Sequence, residues 1–210
     1  MTALRNTDID LESLNLSYVA KGPNSITSKT WGSLADAVKE MHTVEKLLLK
    51  GNHIGYDDVV AISEALRNVR KLKTLKLGRN LIDDRSATVI AKNIVASEDC
   101  SVRSLDLGHN VLGEKGVIEL CNAFTEFEKR NESKENLKKC AGTFALKLGG
   151  SPILDGGAIA ISKLVSTSLY LGMIDIASCG ITDKGILALS RAIKANHENK
   201  GHLKCVFFDE

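Results

Sequence analysis

The sequence is poor in the residues that mark several specialised protein classes. Among its 210 residues there are two prolines and 4% aromatic residues, and basic minus acidic residues is 28 − 26, or +2. These values exclude a proline-rich linker, an aromatic-rich nucleic-acid reader and a chain whose overall charge selects its partner. No apolar run reaches the roughly 18 residues of a membrane span. Residues 1–8 lack the apolar segment of a secretory signal.

Paired cysteine motifs are also missing. The five cysteines are Cys100, Cys121, Cys140, Cys179 and Cys205, and no two of them form a C-x-x-C pair. An odd count in a chain without a secretory signal predicts reduced thiols. We therefore expect a cytoplasmic protein of a reducing, intracellular compartment, with cytoskeletal or ciliary association possible. The 43% hydrophobic content is enough to form one domain over residues 1–210.

What the sequence does contain is an internal repeat of the form L-x-x-L-x-L-x-x-N-x-I, which is most regular in segments 72–82 and 102–112. The sixth position recurs at Leu49, Leu77 and Leu107, which are 28 and 30 residues apart. Alternation of apolar residues within each copy indicates a strand. The predicted strands lie near 11–16, 44–49, 72–77, 102–107, 143–148, 171–176 and 203–208.

Between the predicted strands, apolar residues recur at helical spacing, as at Val59, Ile62 and Leu66. Strands that alternate with helices favour a parallel sheet with right-handed connections. The pattern resembles the leucine-rich repeat family, in its long, ribonuclease-inhibitor-like type of about 28 residues per repeat. The resemblance implies an α/β right-handed solenoid shaped like a horseshoe. About seven parallel strands would line the concave face, and helices would cover the convex face.

The ninth repeat position predicts a structural ladder. Asparagine amides satisfy backbone groups in turns, so these side chains are expected to lie buried side by side rather than to act in catalysis. The predicted ladder consists of Asn52, Asn80, Asn110, Ser151 and Cys179. Glycines that follow the loops, at Gly116, Gly157 and Gly185, predict a tight entry into each next helix.

A basic patch is the first candidate binding surface. Between Arg67 and Arg79 there are six basic residues and no acidic one. The predicted concave patch consists of Lys46, Lys50, Lys73, Lys76, Arg79 and Arg103. Such a patch attracts an acidic protein surface in a salt-dependent way, and the alternative is ordinary solvated lysine. At the fifth position Lys76, Asp106, Lys147 and Asp175 alternate in sign, which predicts ion pairs between neighbouring strands.

Two further surfaces are candidates. The last predicted strand contains Phe207 and Phe208, and an uncovered strand edge invites pairing with another chain. The alternative is a short edge strand blunted by Asp209 and Glu210. The repeat that follows Leu107 is longer than its neighbours, and its excess segment, 128–139, holds five basic and three acidic residues. This insertion is expected to be a solvated loop, an extra helical turn or a protrusion that contacts a partner.

Motifs for chemistry are missing. The sequence has no G-x-x-x-x-G-K-[ST], G-x-S-x-G or H-E-x-x-H, and His197, His202 and Cys205 do not fit a zinc spacing. The pairs Asp57-Asp58 and Asp83-Asp84 open predicted helices, where acidic residues stabilise the N-terminus. We therefore expect no catalytic residues, metal, cofactor or small-molecule substrate, and neither a membrane nor a nucleic acid as partner.

The predicted function is a non-enzymatic protein–protein interaction scaffold. A short solenoid of this kind suggests a subunit of a larger intracellular complex, cytoskeletal, axonemal or regulatory. One or more proteins would bind through the concave face, the C-terminal edge or the insertion. The alternative is a GTPase-activating protein similar to the Ran-activating leucine-rich-repeat family, although no residue here matches the catalytic role of that family and its acidic tail is absent.

Overall fold

The computed structural model describes residues 11–20, 26–41, 43–67, 69–97, 100–131 and 143–208. Within these ranges seven strands alternate with six α-helices, and the strands form one parallel sheet in chain order. The strands are β1 (Ser13–Asn15), β2 (Lys46–Leu48), β3 (Thr74–Lys76), β4 (Ser104–Asp106), β5 (Phe144–Lys147), β6 (Leu171–Asp175) and β7 (Cys205–Phe207). The helices are α1 (Ser28–Met41), α2 (Tyr56–Leu66), α3 (Asp84–Ile90), α4 (Glu114–Asn131), α5 (Leu154–Thr167) and α6 (Asp183–Glu198). Helix α3 continues as a π-helical turn, Ala91–Val95.

The sheet keeps the repeat positions in register on all seven strands, and its one irregularity among the described strands lies between β5 and β6, where Phe144 pairs with Leu171 and Ala145 with Met173. The fourth repeat positions are paired across every strand, in the order Leu14, Leu47, Leu75, Leu105, Leu146, Ile174 and Val206. The five inner members of this row are 0% exposed. Each fully buried aliphatic side chain contributes about 1.5–3 kcal/mol relative to an exposed one. The strand pairing thus confirms the predicted parallel α/β solenoid. We call each strand with its following loop a rung.

Helices cover one face of the sheet, because their apolar sides pack against the apolar residues at the sixth and eleventh repeat positions. Helix α1 buries Trp31, Ala35 and Val38, and neighbouring helices contact one another in chain order. Two helices begin with the predicted acidic residues. Asp58 Oδ2 accepts a hydrogen bond from Gly55 N at 2.9 Å, and Asp83 Oδ1 accepts one from Ser86 N at 2.8 Å. Both bonds satisfy backbone donors that a helix start otherwise leaves open.

Two of the glycines after the loops are required by close approach. A Cβ atom on Gly116 would lie 2.4 Å from Leu112 Cδ1, and one on Gly185 would lie 2.5 Å from Ile181 Cγ2. Both distances are far below van der Waals contact, so any side chain at these positions would push the helix away from the loop.

The long repeat lengthens its helix. Helix α4 runs to Asn131, so residues 128–131 of the insertion form an extra helical turn, whereas 132–139 lie outside the described residues. This turn is anchored to the body of the protein. Arg130 Nη2 donates to Ala96 O at 2.8 Å, and Ser168 Oγ donates to Glu128 Oε1 at 2.5 Å. Among the described helices, none combines the length and the apolar composition needed to cross a membrane.

Candidate interaction surfaces

The ninth-position side chains form a buried hydrogen-bonded ladder at the carboxyl ends of the strands. On the third rung, Asn80 Oδ1 accepts hydrogen bonds from Asn52 N at 2.8 Å and Ile54 N at 3.1 Å. The Asn80 Nδ2 atom donates to Leu49 O at 3.1 Å and to Leu77 O at 2.8 Å. One amide therefore joins two rungs, and its donors and acceptors are occupied within the fold. It has no capacity left for chemistry.

The ladder weakens toward the C-terminal rungs. Ser151 Oγ accepts from Asn110 N at 3.2 Å, and Cys179 Sγ lies 3.5 Å from Leu148 O and 3.4 Å from Ala177 O. A thiol has one weak donor where an amide has two strong ones. Burial raises the pKa of the Cys179 thiol, and it raises the pKa of Cys121 to about 12. These cysteines stay protonated at neutral pH, which suits packing rather than nucleophilic attack.

A second set of links between rungs is carried by acidic residues in the loops. Asp84 Oδ1 accepts from Gly113 N at 2.8 Å and from Gly116 N at 2.9 Å, both on the next rung. Asp155 Oδ1 accepts from Thr182 N at 2.9 Å, and hydrogen bonds from Thr182 hold the pKa of Asp155 below its usual value. The acidic pair Asp83-Asp84 predicts only a role at the start of its own helix. An acidic residue about one repeat before a helix-opening glycine is the sequence signal for the link between rungs.

The basic patch divides into two groups. Lys73 Nζ lies 2.5 Å from Glu45 Oε1, and this hydrogen bond lowers the pKa of Glu45. Arg103 Nη1 donates to the backbone oxygen of Val102 at 3.0 Å. Both cations lie just before their strands and already have partners. They are therefore less suited to binding than the sequence predicted.

The second group remains on β2, β3 and the loops that follow them. Lys46, Lys50, Lys76 and Arg79 form no ion pair or side-chain hydrogen bond with any residue in the described part of the chain. Lys46 and Arg79 are exposed, and Lys50 and Lys76 are half-buried. We call these four residues the concave basic face. They leave positive charge that the described fold does not neutralise.

The predicted lysine–aspartate pairs across the sheet are wrong for the described residues. Asp106 is in register with Lys76, but its Oδ1 accepts from Gly108 N at 3.0 Å. Asp175 Oδ1 likewise accepts from Ala177 N at 3.2 Å. A short carboxylate reaches its own backbone two residues ahead, as in an Asx turn, and an exposed ion pair gains too little to compete.

These carboxylates also explain the small residues at the seventh position. A Cβ atom on Gly149 would lie 2.7 Å from Asp175 Oδ1, and one on Gly78 would lie 3.0 Å from Asp106 Oδ1. The glycines line a shallow concave groove of about 350 Å³ together with Lys50, Lys147 and the two carboxylates. The groove joins the concave basic face to the middle of the sheet.

At the C-terminal edge, β7 pairs with β6, and its outer side has no strand partner among the described residues. Phe207 is 44% exposed and Phe208 is 43% exposed. Leu187 of the neighbouring helix is also exposed. The predicted blunting residues, 209–210, lie outside the described residues. In the described ranges no group of three or more His, Cys, Asp or Glu residues could hold a metal ion.

Comparisons with known proteins agree with the repeat pattern. A family model described as Leucine Rich repeat matches residues 98–121 and 174–190. Mouse NACHT, LRR and PYD domains-containing protein 5 is 25% identical over 204 residues, which cover 94% of this chain and 16% of that protein. Pig ribonuclease inhibitor is 26% identical over 196 residues, covering 82% of this chain and 40% of that protein. The chain thus spans less than half the length of these curated relatives.

Among solved structures, leiomodin-1 actin-binding site 2 has a TM-score of 0.58 and 16% sequence identity, covering 84% of this chain and 93% of that chain. This likeness is one of fold. Repeat positions, sheet and relatives agree, and the chain contains leucine-rich repeats and is similar to proteins with long repeats of the ribonuclease-inhibitor-like type.

Proposed function

We propose that this protein is a non-enzymatic scaffold subunit of a larger cytoplasmic complex. It binds an acidic protein surface through the concave basic face. The observation that carries the proposal is the set of four cations, Lys46, Lys50, Lys76 and Arg79, that form no ion pair within the described residues. Buried polar side-chain atoms among the described residues have hydrogen-bond partners within the fold. An acidic partner would supply the missing counter-charges.

The physical argument rests on spacing. Neighbouring strands lie about 4.8 Å apart, so cations on β2 and β3 act together on one approaching surface. Positive charges clustered on a concave surface raise the local concentration of an acidic partner and its rate of association. The attraction falls as salt rises, because the Debye length is about 10 Å at 0.1 M salt and shorter above it.

The C-terminal edge is proposed as a second contact of the same scaffold. Support comes from the exposure of Phe207 and Phe208 beside the side of β7 that has no strand partner among the described residues. A partner strand added at this edge would satisfy the backbone groups of β7 and cover both aromatic side chains. Removal of residues after Lys204 would delete this contact and leave the concave basic face in place.

The names of the similar proteins suggest which complexes to test first. Leiomodin-1 is named for an actin-binding site, and ribonuclease inhibitor is named for the enzyme it inhibits. An actin-based or axonemal complex therefore represents the cytoskeletal form of the proposal, and an inhibited enzyme represents the regulatory form. The GTPase-activating alternative has a separate test, because stimulation of GTP hydrolysis by a panel of GTPases would show it directly.

The experiment is affinity purification from native extract at about 0.05 M and about 0.3 M salt, chosen to change the screening length. Wild type is compared with Lys46→Glu/Lys76→Glu/Arg79→Glu and with a matched reversal on the convex side, Lys39→Glu/Lys92→Glu/Lys163→Glu. We expect a defined set of proteins with acidic surfaces that the concave reversal and high salt remove and the convex reversal retains. Equal capture by all three proteins would contradict the proposal.

A further inference from the structure

A stripe of exposed apolar side chains runs along the rim of the solenoid, beside the concave basic face. It begins at Leu81 and Val111, which directly follow the ladder residues of the third and fourth rungs and are 52% and 57% exposed. The exposed Pro152 holds the same repeat position on the fifth rung. Scattered exposed leucines are common, but apolar residues at one position on successive rungs form a continuous surface.

Leu154 widens the stripe on the fifth repeat, two residues after Pro152. It is 46% exposed, and its backbone has a positive φ of 52°. A Cβ atom on Gly180 would lie 3.0 Å from Leu154 Cδ2, so the leucine side chain reaches over the position where Gly180 has none. The same apolar position is thus filled on three consecutive rungs, and Leu154 covers that position toward the sixth. We call Leu81, Val111, Pro152 and Leu154 the rim stripe.

The stripe has a basic border on its concave side. Arg79 lies two residues before Leu81 and belongs to the concave basic face. His109, which precedes Asn110 on the next rung, is exposed on the same side. On the opposite side the loop carboxylates are bound to backbone, as Asp84 is to Gly113 N and Glu114 Oε1 is to Gly156 N at 2.9 Å. A partner therefore meets positive charge along its concave-facing flank.

The spacing of the stripe selects the shape of the partner. Rungs repeat about every 4.8 Å in the sheet, so the first and third of three rungs lie roughly 10 Å apart. An α-helix advances about 5.4 Å per turn, and its i, i+3/i+4 and i+7 side chains keep nearly that step. An extended strand presents same-side residues about 6.7 Å apart. After two such steps its side chains would be displaced from the rungs by almost one rung spacing.

We infer that the rim stripe is a docking surface for an amphipathic helix of a partner protein, with an apolar ridge of about three turns and an acidic flank. The ridge contacts Leu81, Val111 and Leu154, and the acidic flank faces Arg79 and Lys76. This inference rests on the proposed function, because it gives the acidic partner a definite shape. It adds that apolar burial at the rim, and not charge alone, holds that partner.

The probes are synthetic helical peptides of matched length, and the readout is fluorescence anisotropy with the full chain. One peptide carries a leucine ridge with a glutamate flank, the second has the same ridge with a lysine flank, and the third has serine in place of the ridge. The variants are Leu81→Ser/Val111→Ser and the concave reversal Lys76→Glu/Arg79→Glu. The control Ile118→Ser/Leu187→Ser changes residues that are 39% and 51% exposed outside the stripe. Urea unfolding verifies that each variant is folded.

We expect the glutamate-flank peptide to bind wild type and the control alike, and to bind Leu81→Ser/Val111→Ser at least about tenfold more weakly, because two apolar contacts are lost. The inference is overturned if this peptide does not bind wild type, binds the rim variant equally, or binds no better than the serine-ridge peptide. The proposed function fails separately if the concave reversal leaves both extract partners and the glutamate-flank peptide bound as in wild type.

Discussion

The asparagine ladder and the concave basic face lie on the same rungs. The polar groups of the ladder are hydrogen-bonded within the fold, whereas the cations of the concave basic face are not. In the ladder, the amide of Asn80 bonds to four backbone groups on two rungs. No buried side-chain nitrogen or oxygen among the described residues lacks a partner. On the concave face, Lys76 and Arg79 have no such bonds. Whether a polar side chain has a hydrogen-bond partner within the fold therefore distinguishes residues that stabilise the fold from residues that are available for binding.

The ladder itself contains a second comparison. Asn52, Asn80 and Asn110 join rungs through amides, whereas Cys179 contributes a thiol near two carbonyls. The sheet register nevertheless continues through β6 and β7. Apolar packing at the fourth position is thus sufficient to keep the rungs aligned where the ladder is weak. The stability contributed by each ladder position should therefore fall toward the C-terminal rungs.

The largest expected effect is that of Asn80→Ala. The substitution leaves the buried N–H groups of Asn52 and Ile54 without their acceptor, whereas the carbonyls of Leu49 and Leu77 keep the amides of Asn52 and Asn110 as donors. Each buried unsatisfied group costs about 1–3 kcal/mol, so the free energy of unfolding should fall by about 3 kcal/mol or more. Urea unfolding followed by circular dichroism measures it. Cys179→Ala is the control and should lose about 1 kcal/mol, since it removes mainly one buried sulfur. Equal losses would refute the comparison.

A smaller effect is expected for Gly116→Ala. The new Cβ would meet Leu112 Cδ1 at 2.4 Å and Asp84 Oδ1 at 2.8 Å. Overpacking of this kind costs about 1–3 kcal/mol. Gly55→Ala is the matched control, because nothing lies within 4 Å of a Cβ atom there. Thermal unfolding of both variants decides the matter, and a Gly116→Ala protein as stable as Gly55→Ala would show that the loop has room.

The smallest effect concerns pH and the extra turn of α4. Burial raises the pKa of Glu128 above its model-peptide value of 4.5, although Ser168 donates a hydrogen bond to it. A carboxyl group with a raised folded pKa favours the folded state when protonated, and this contribution is lost as pH rises from the unfolded pKa through the folded one. Glu128→Gln should therefore be more stable than wild type at about pH 7.5 and should lose that advantage at about pH 4. Unfolding midpoints at both values measure it, and an advantage that grows on acidification would contradict the assigned sign.

Much of the fold follows from the sequence because the repeat fixes it. One residue type at one position, as at Asn80 and Asn110, is enough to place the ladder and the strand register. The links from Asp84 to Gly113 and Gly116 could not be predicted, because they depend on how far a side chain reaches between rungs. For the same reason register alone gave the wrong partner for Asp106.

The rim stripe was invisible in the sequence for a different reason. Leu81 and Val111 occupy a repeat position that the consensus leaves unconstrained, so no periodic signal distinguishes them from buried leucines nearby. Only their exposure in the folded chain identifies them. The division of the basic patch could not be predicted from the sequence either. Lys73 and Lys76 are the same residue type, and only the folded chain places Lys73 beside an acidic side chain.

The most direct test measures stability and binding on the same proteins. Lys46→Glu/Lys76→Glu/Arg79→Glu and Asn80→Ala are each compared with wild type by urea unfolding and by capture of partners from extract. The reversal should change the free energy of unfolding by no more than about 0.5 kcal/mol, as expected for exposed charges, and should lose the partners. A reversal that destabilises the fold as much as Asn80→Ala, or that keeps every partner, would contradict the assignment of the concave basic face to binding.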